Sequence, residues 1–236
     1  MDRYFDFVCI SLNKCKDRRK SSYDLFRKLN IAKVMNWWIV DKHPSGGIYG
    51  CFESHVSVWN CSEYTKEFLC VFEDDIDFNE QDTISFKQAL EYAYMNMPQN
   101  FDILNLESRL GFVEKQVASF AYSGAFINLS SYIIHRSFIP TLISRVIPWY
   151  GMNLDTALYK NARQIGIFPP IFRQKGYESD ISSNNLIPNS VKELCRKVLT
   201  SSNLLGLIIL ELAQLKDIYY IYNTPRPELK DRRIDK

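Results

Sequence analysis

The chain has 236 residues, 46% of them hydrophobic and 14% aromatic, with 29 basic against 27 acidic side chains and a net charge of +2. That balance describes a folded globule and excludes disorder, collagen and coiled coil; at roughly 150 residues per domain it allows one large domain with or without an appendage. So little net charge gives no global basic surface for neutralising phosphates, and no nucleic-acid partner is expected, although Lys14, Lys16, Arg18, Arg19 and Lys20 form a local basic run.

The opening Met1-Asp2-Arg3-Tyr4-Phe5-Asp6 lacks the apolar core and small-residue cleavage site of a secretory signal, so a soluble, cytoplasmic protein is expected. Phe7 to Leu12 reads as a strand, Asp17 to Leu29 as a helix and Val34 to Val40 as a second strand, a βαβ beginning. After the turn signal His43-Pro44-Ser45-Gly46-Gly47, apolar residues at Phe52, Val56, Trp59 and Cys61 predict a half-buried helix over Cys51 to Lys66. Phe68 to Phe72 is a buried strand.

A helix near Asp82 to Met97 ends before Pro98, followed by strands at Phe101 to Leu106 and Ser119 to Ile127. A helix from about Ser130, the loop Pro148 to Asn153, a short helix Leu154 to Arg163 and an extended Ile165 to Phe168 complete an α/β body. Further on, Leu205, Ile208, Ile209, Leu212 and Leu215 recur at helical spacing. The expected division is an α/β domain over 1–185, a helical segment over 186–224 packed on it, and a charged tail over 225–236. Basic flanks also leave open a peripheral membrane contact through that C-terminal helix. No apolar run reaches the ~18 residues that span a bilayer. The six cysteines include no C-x-x-C pair and read as reduced thiols.

The chemistry is concentrated where the apolar Phe68-Leu-Cys-Val-Phe72 runs into Glu73-Asp74-Asp75-Ile76-Asp77. Side chains at the C-terminal end of a strand in an open α/β sheet face the crevice where such folds bind ligands. Alternation groups Glu73 with Asp75 and Asp77 and turns Asp74 the other way. Carboxylates packed this closely repel unless a hard cation lies between them, and oxygen-only ligation suits Mg²⁺ or Mn²⁺; a solvated acidic turn is the plain alternative. No H-E-x-x-H, phosphate-cradling glycine loop or G-x-S-x-G occurs.

Several ordered blocks resemble glycosyltransferase family 25, which includes lipooligosaccharide and collagen galactosyltransferases. They are Ile10-Ser11-Leu12-Asn13 with Arg18-Arg19, then Gly50-Cys51-Phe52-Glu53-Ser54-His55 with Trp59, then Phe72-Glu73-Asp74-Asp75. Weaker echoes are Phe101-Asp102-Ile103-Leu104, Ser123-Gly124-Ala125-Phe126, Leu154-Asp155, Pro169-Pro170 and Ser179-Asp180-Ile181. The resemblance implies a GT-A type fold, a Rossmann-like mixed sheet flanked by helices, as a catalytic domain. It also implies a UDP-sugar donor, a glycan or hydroxylated protein acceptor, and inverting transfer of a hexose, galactose or glucose, assisted by Mn²⁺ or Mg²⁺.

In that picture Glu73, Asp75 and Asp77 are the metal ligands. Ser11, Asn13, Arg19, Ser54, His55 and Asp180 are the candidates for binding the donor. Asp155 is the candidate base, with Glu107 in reserve. Five of them have a structural alternative: Asp155 as a helix N-terminal charge, His55 and Ser54 as satisfied structural groups, Arg19 as a solvated cation, Asp180 as a loop residue. Two other functions compete. A metal-dependent phosphohydrolase or nucleotidyltransferase would draw further ligands from Asp102 or Glu107, and a non-catalytic nucleotide-sugar or glycan binder would keep the fold without turnover.

Overall fold

The computed structural model describes residues 3–78, 84–108, 110–127 and 129–175. An eight-stranded mixed sheet has the order β2-β1-β3-β8-β5-β9-β7-β6. It is built from β1 (Phe5–Leu12), β2 (Met35–Val40), β3 (Phe68–Glu73), β5 (Ile103–Asn105), β6 (Leu110–Ala118), β7 (Ala121–Ile127), β8 (Ser131–His135) and β9 (Gln164–Ile167). β1 pairs in parallel with both β2 and β3, and β5 in parallel with β9, while β8 lies antiparallel between β3 and β5. A two-stranded ribbon of β4 (Ile76–Phe78) and β10 (Phe172–Gln174) stands beyond the sheet.

Alternation along the central strands divides the core in two. Phe5, Phe7 and Cys9 of β1 and Phe68, Cys70 and Phe72 of β3 pack with Leu25 and Phe26 of α1 (Lys16–Lys28) and with Phe86, Ala89, Leu90 and Ala93 of α3 (Phe86–Asn96). Val8 and Ile10, with Leu69 and Val71, face Phe52, Val56 and Trp59 of α2 (Gly47–Asn60). The same layer takes in Leu142 and Val146 of α4 (Ile139–Val146) and Ala157 and Leu158 of α5 (Leu154–Asn161). Strands buried on both faces read as unbroken apolar runs, which is why β1 and β3 are plain in the sequence.

The expected α/β sheet flanked by helices is present, with several local corrections. α2 begins a turn earlier than Cys51, just after Gly46 at φ 103°, and ends at Asn60 rather than Lys66. Ser119 to Ile127 is not one strand but the turn and second arm of a hairpin with β6. Ser130 does not open a helix: Ser131–His135 is β8, inserted in the sheet, and the helix starts only at Ile139 after a 3-10 turn. β8 is buried from Ser131 to Ile134, so it lacks the alternation that marks a half-exposed strand. α3 starts at Phe86, where Ser85 and Gln88 form a reciprocal capping box; Asp82 lies outside the described residues. The C-terminal helical segment and charged tail also lie outside them.

Candidate active site

β1 leads through α1 to β2 on one side, and β2 returns through α2 to β3 on the other, with α1 and α2 on opposite faces. The C-terminal ends of β1 and β3 therefore flank a topological switch point, the crevice where open α/β sheets bind ligands. Glu73 ends β3 at this crevice, and the chain turns at Asp74 and Asp75 before entering β4.

Alternation sends Glu73 to the α2 face. Its Oε1 lies 3.2 Å from His55 Nε2 and accepts a 3.9 Å contact from the Cys51 thiol. Burial, then the charges of Asp155 and Asp74, push Glu73 up to about 8. His55 is buried, and that burial pushes it down to about 4, leaving a neutral ring. Trp59 Nε1–H donates to the Tyr132 oxygen at 2.7 Å, and that hydroxyl lies 2.8 Å from His55 Nδ1. Every donor is satisfied when Tyr132 O–H donates to Nδ1 and Nε2–H donates to Glu73. His55 thus holds Glu73 in place from β8, through Tyr132.

Asp74 turns to the α1 face, as alternation predicts. It accepts from Ser11 Oγ at 2.5 Å and pairs with Arg18 at 3.8 Å, while its backbone carbonyl accepts from Ser22 Oγ at 2.7 Å. Arg19 donates to Ser11 Oγ at 2.9 Å, to the Leu12 carbonyl and to the Asn13 carbonyl at 2.9 Å, closing the end of β1. Asn13 itself donates to Asp41 at 3.3 Å. Ser11, Asn13 and Arg19 are therefore brought to the rim of the crevice, and the bonds they make there brace β1 and Asp74.

Asp75 differs from both neighbours. Its Oδ1 is buried and has no hydrogen-bond partner among the described residues, and burial together with Glu73 and Asp74 pushes its carboxyl up to about 8. Its backbone carbonyl accepts from Lys175 N–H at 2.6 Å, which pins the turn to the end of β10. Asp77, unlike this pair, faces cations. The chain turns before it, so alternation no longer applies, and β4 places it opposite Arg173, with Arg173 Nη2 at 3.7 Å and Lys175 Nζ at 3.8 Å.

Asp155 sits in the first turn of α5 and is the largest charge neighbour acting on Glu73. The loop before it is fastened to α2, where the Tyr150 hydroxyl donates to Glu53 Oε1 and Glu53 Oε2 lies 3.3 Å from His43 Nε2. Ser45 N–H donates to His43 Nδ1 at 2.9 Å, so the ring proton belongs on Nε2, facing Glu53. Gly151, at φ 96°, lets the loop turn against the Tyr49 ring, where a Cβ would come within 3.0 Å of a ring carbon. Glu107 is fully buried past the end of β5, and its Oε1 accepts from Gln174 N–H at 2.8 Å, which ties it to β10. Ser54 donates to the Gly50 carbonyl of its own helix at 2.6 Å. Asp180 lies outside the described residues.

Asp102 does not reach the crevice. It precedes β5 at the opposite edge of the sheet and takes Arg163 Nη2 at 2.6 Å on Oδ1 and Arg163 Nε at 3.1 Å on Oδ2. It is thereby removed as a further ligand for hydrolase chemistry. A divalent cation fits Glu73 and Asp75 on the structure's own terms: two carboxyls held toward their protonated form by burial and by neighbouring acids, with one buried oxygen unpartnered.

Tyr132, Trp59 and Glu53 are not among the site residues that the sequence predicts. The His55–Tyr132 contact joins residues 77 positions apart, and no local pattern announces it. Glu53 and His55 did carry a signal, since both lie in the block Gly50 to His55 that resembles the family.

No curated protein matches the sequence. Among solved structures, the chain is similar to protein A197 from STIV, with TM-score 0.46 and 11% identity over 74% of this chain and 87% of that one. It is similar to a glycosyltransferase involved in the glycosylation of the major capsid of PBCV-1, with TM-score 0.44 and 12% identity over 74% and 94% of the two chains. A Drosophila beta-1,4-galactosyltransferase 7 mutant in complex with manganese, UDP-Gal and xylobiose gives TM-score 0.40 and 6% identity over 79% of each chain. The model of glycosyltransferase family 25 (LPS biosynthesis protein) matches residues 29–158, more than half of the chain, from just after α1 into α5. With α2, β3 and the Glu73–Asp75 turn all inside that match, the protein belongs to glycosyltransferase family 25 and is a glycosyltransferase.

Proposed function

We propose that this protein transfers a hexose, galactose or glucose, from a UDP-sugar to a hydroxyl of a glycan or a hydroxylated protein, with inversion and with Mn²⁺ or Mg²⁺ held by Glu73 and Asp75. The observation that carries the reading is the buried, unpartnered Oδ1 of Asp75 beside Glu73 at the switch point of the sheet. Bound there, the ion supplies positive charge where the diphosphate leaving group becomes negative.

The chain's own residues perform the remaining tasks. His55, backed by Tyr132, orients Glu73; Arg18 and Ser11 hold Asp74 and so fix the turn that carries Asp75. Asp155, in the first turn of α5 behind the loop that Tyr150 fastens to Glu53, takes the proton of the acceptor hydroxyl as its oxygen bonds to the sugar C1 and the C1–O bond to UDP breaks. Nothing in the geometry favours Glu107 over Asp155 for this task, because Glu107 is fully buried and bonded to β10. A second reading of Asp155 has its own support: its charge acts on Glu73 more than any other does, which suits a third oxygen ligand.

The test needs no known acceptor. Purified protein is incubated with a panel of UDP- and GDP-sugars, with Mn²⁺, with Mg²⁺ or with EDTA, and free nucleoside diphosphate is measured. Release from one UDP-hexose that requires the metal supports the reading. No release and no calorimetric binding from any donor overturns it.

A further inference from the structure

We propose that Cys51, His55 and Glu73 form a seat for a thiophilic divalent transition ion of the Zn²⁺ or Co²⁺ kind, distinct in chemistry from the oxygen-only pair of Glu73 and Asp75. Cys51 and His55 are four residues apart on α2 and so share one helix face, and Glu73 meets them from the end of β3. His55 Nε2 lies 3.2 Å and Cys51 Sγ 3.9 Å from Glu73 Oε1, and the three ligand atoms all lie within 4.8 Å of one another. An ion bonded at about 2.3 Å to sulfur and about 2.0–2.2 Å to nitrogen and oxygen needs only small side-chain shifts to occupy that triangle.

Two further features suit such an ion. The His55 nitrogen turned away from the triangle already has a partner in the Tyr132 hydroxyl at 2.8 Å, the kind of outer contact that orients ligating histidines. The Glu73 side chain is 27% exposed, and Cys51 is half-buried beside it, which leaves one side of the triangle toward the crevice for a water or an anionic ligand. Sulfur in the set selects against Mg²⁺ and Ca²⁺ and toward ions of the zinc kind. The protons balance: Cys51 and Glu73 each release one, and the single ring proton of His55 moves to Nδ1, where the Tyr132 oxygen accepts it. This seat does not rest on the sugar-transfer reading, with which it shares Glu73 and the His55–Tyr132 pair that orients it.

Cobalt tests it directly. Co²⁺ is added to the reduced, metal-free full-length protein, and the near-ultraviolet and visible spectrum is recorded. The expected result at one equivalent is a thiolate-to-cobalt charge-transfer band with strong four-coordinate visible absorption. Cys51→Ser and His55→Gln lose both features, Asp75→Asn and Cys61→Ser keep them, and Tyr132→Phe weakens binding about ten-fold. In parallel, Zn²⁺ is expected to protect Cys51 from alkylation in the wild type, read by peptide mass mapping, so the outcome does not depend on any variant folding. A wild-type spectrum without a thiolate band, a band unchanged in Cys51→Ser, or alkylation of Cys51 indifferent to Zn²⁺ overturns the proposal. Nucleotide release measured on the same samples reports separately on sugar transfer.

Discussion

The two edges of the central sheet carry the same residue types and treat them in opposite ways. At the N-terminal edge, Asp6 accepts from Lys66 N–H at 2.9 Å and faces Arg136 at 3.7 Å, and Asp102 is gripped by Arg163 at 2.6 and 3.1 Å. At the C-terminal edge, Glu73 feels the charges of Asp155 and Asp74, Asp75 feels those of Glu73 and Asp74, and Arg18, the cation that acts on both, is engaged with Asp74. A matched acid stabilises its surroundings; a crowded acid costs stability and is kept where a ligand offsets the cost. Charge matching, more than acidity, separates the structural carboxylates from the functional ones.

Substitutions at the two edges are therefore expected to have opposite signatures. The largest effect is expected for Asp75→Ala: nucleotide release falls by about 1,000-fold, the scale for losing an electrostatic stabiliser of the transition state, while urea denaturation of the metal-free protein shows equal or higher stability. Asp155→Asn is expected to lower release by about 100-fold, the scale for losing a general base, with Mn²⁺ affinity unchanged. A parallel loss of Mn²⁺ affinity would instead make Asp155 a third ligand. Asp102→Asn reverses the pattern. It costs about 2 kcal/mol of stability through the lost charge-assisted bonds to Arg163, read as a lower urea midpoint, and leaves release per folded molecule unchanged.

A smaller effect follows from pH. Glu73 and Asp75 are raised to about 8, so between the ordinary carboxyl range and pH 8 the native state holds protons that the unfolded chain has lost. Stability therefore falls as pH rises through that window and levels off above it. His55, lowered to about 4, acts with the opposite sign only below its ordinary 6.5. Between pH 6.5 and 8 the carboxyls act without it, and the metal-free protein is expected to unfold at a lower temperature at pH 8 than at pH 6.5. Asp75→Asn flattens that slope, and Mn²⁺ reduces it in the wild type.

Much of the crevice is written locally. The apolar run Phe68 to Phe72 discharging into Glu73, Asp74 and Asp75 marks both a strand and its functional end, and alternation separates Glu73 from Asp74 before any fold is known. That rule fails one step later, because it holds only while the strand continues; the turn at Asp74 and Asp75 and the pairing of β4 with β10 carry Asp77 to Arg173. β8 was hidden for a related reason: a short strand covered on both faces has the same apolar run as a buried helix. The contacts of His55 with Tyr132 and of Glu53 with Tyr150 span 77 and 97 residues and arise only when α2 closes over the sheet. Local pattern locates the acids; only tertiary packing shows which of them are matched.

The most direct measurement is Mn²⁺ uptake in the presence of UDP, followed by the loss of the free-ion electron paramagnetic resonance signal, for wild type, Asp75→Asn and Asp77→Asn. Asp75 is the crowded acid of the crevice, whereas Asp77 is matched by Arg173 and Lys175. The expected result is one Mn²⁺ bound by wild type and by Asp77→Asn, and none by Asp75→Asn. Undiminished binding in Asp75→Asn, or its loss in Asp77→Asn alone, would contradict the assignment of the metal to the Glu73–Asp75 pair.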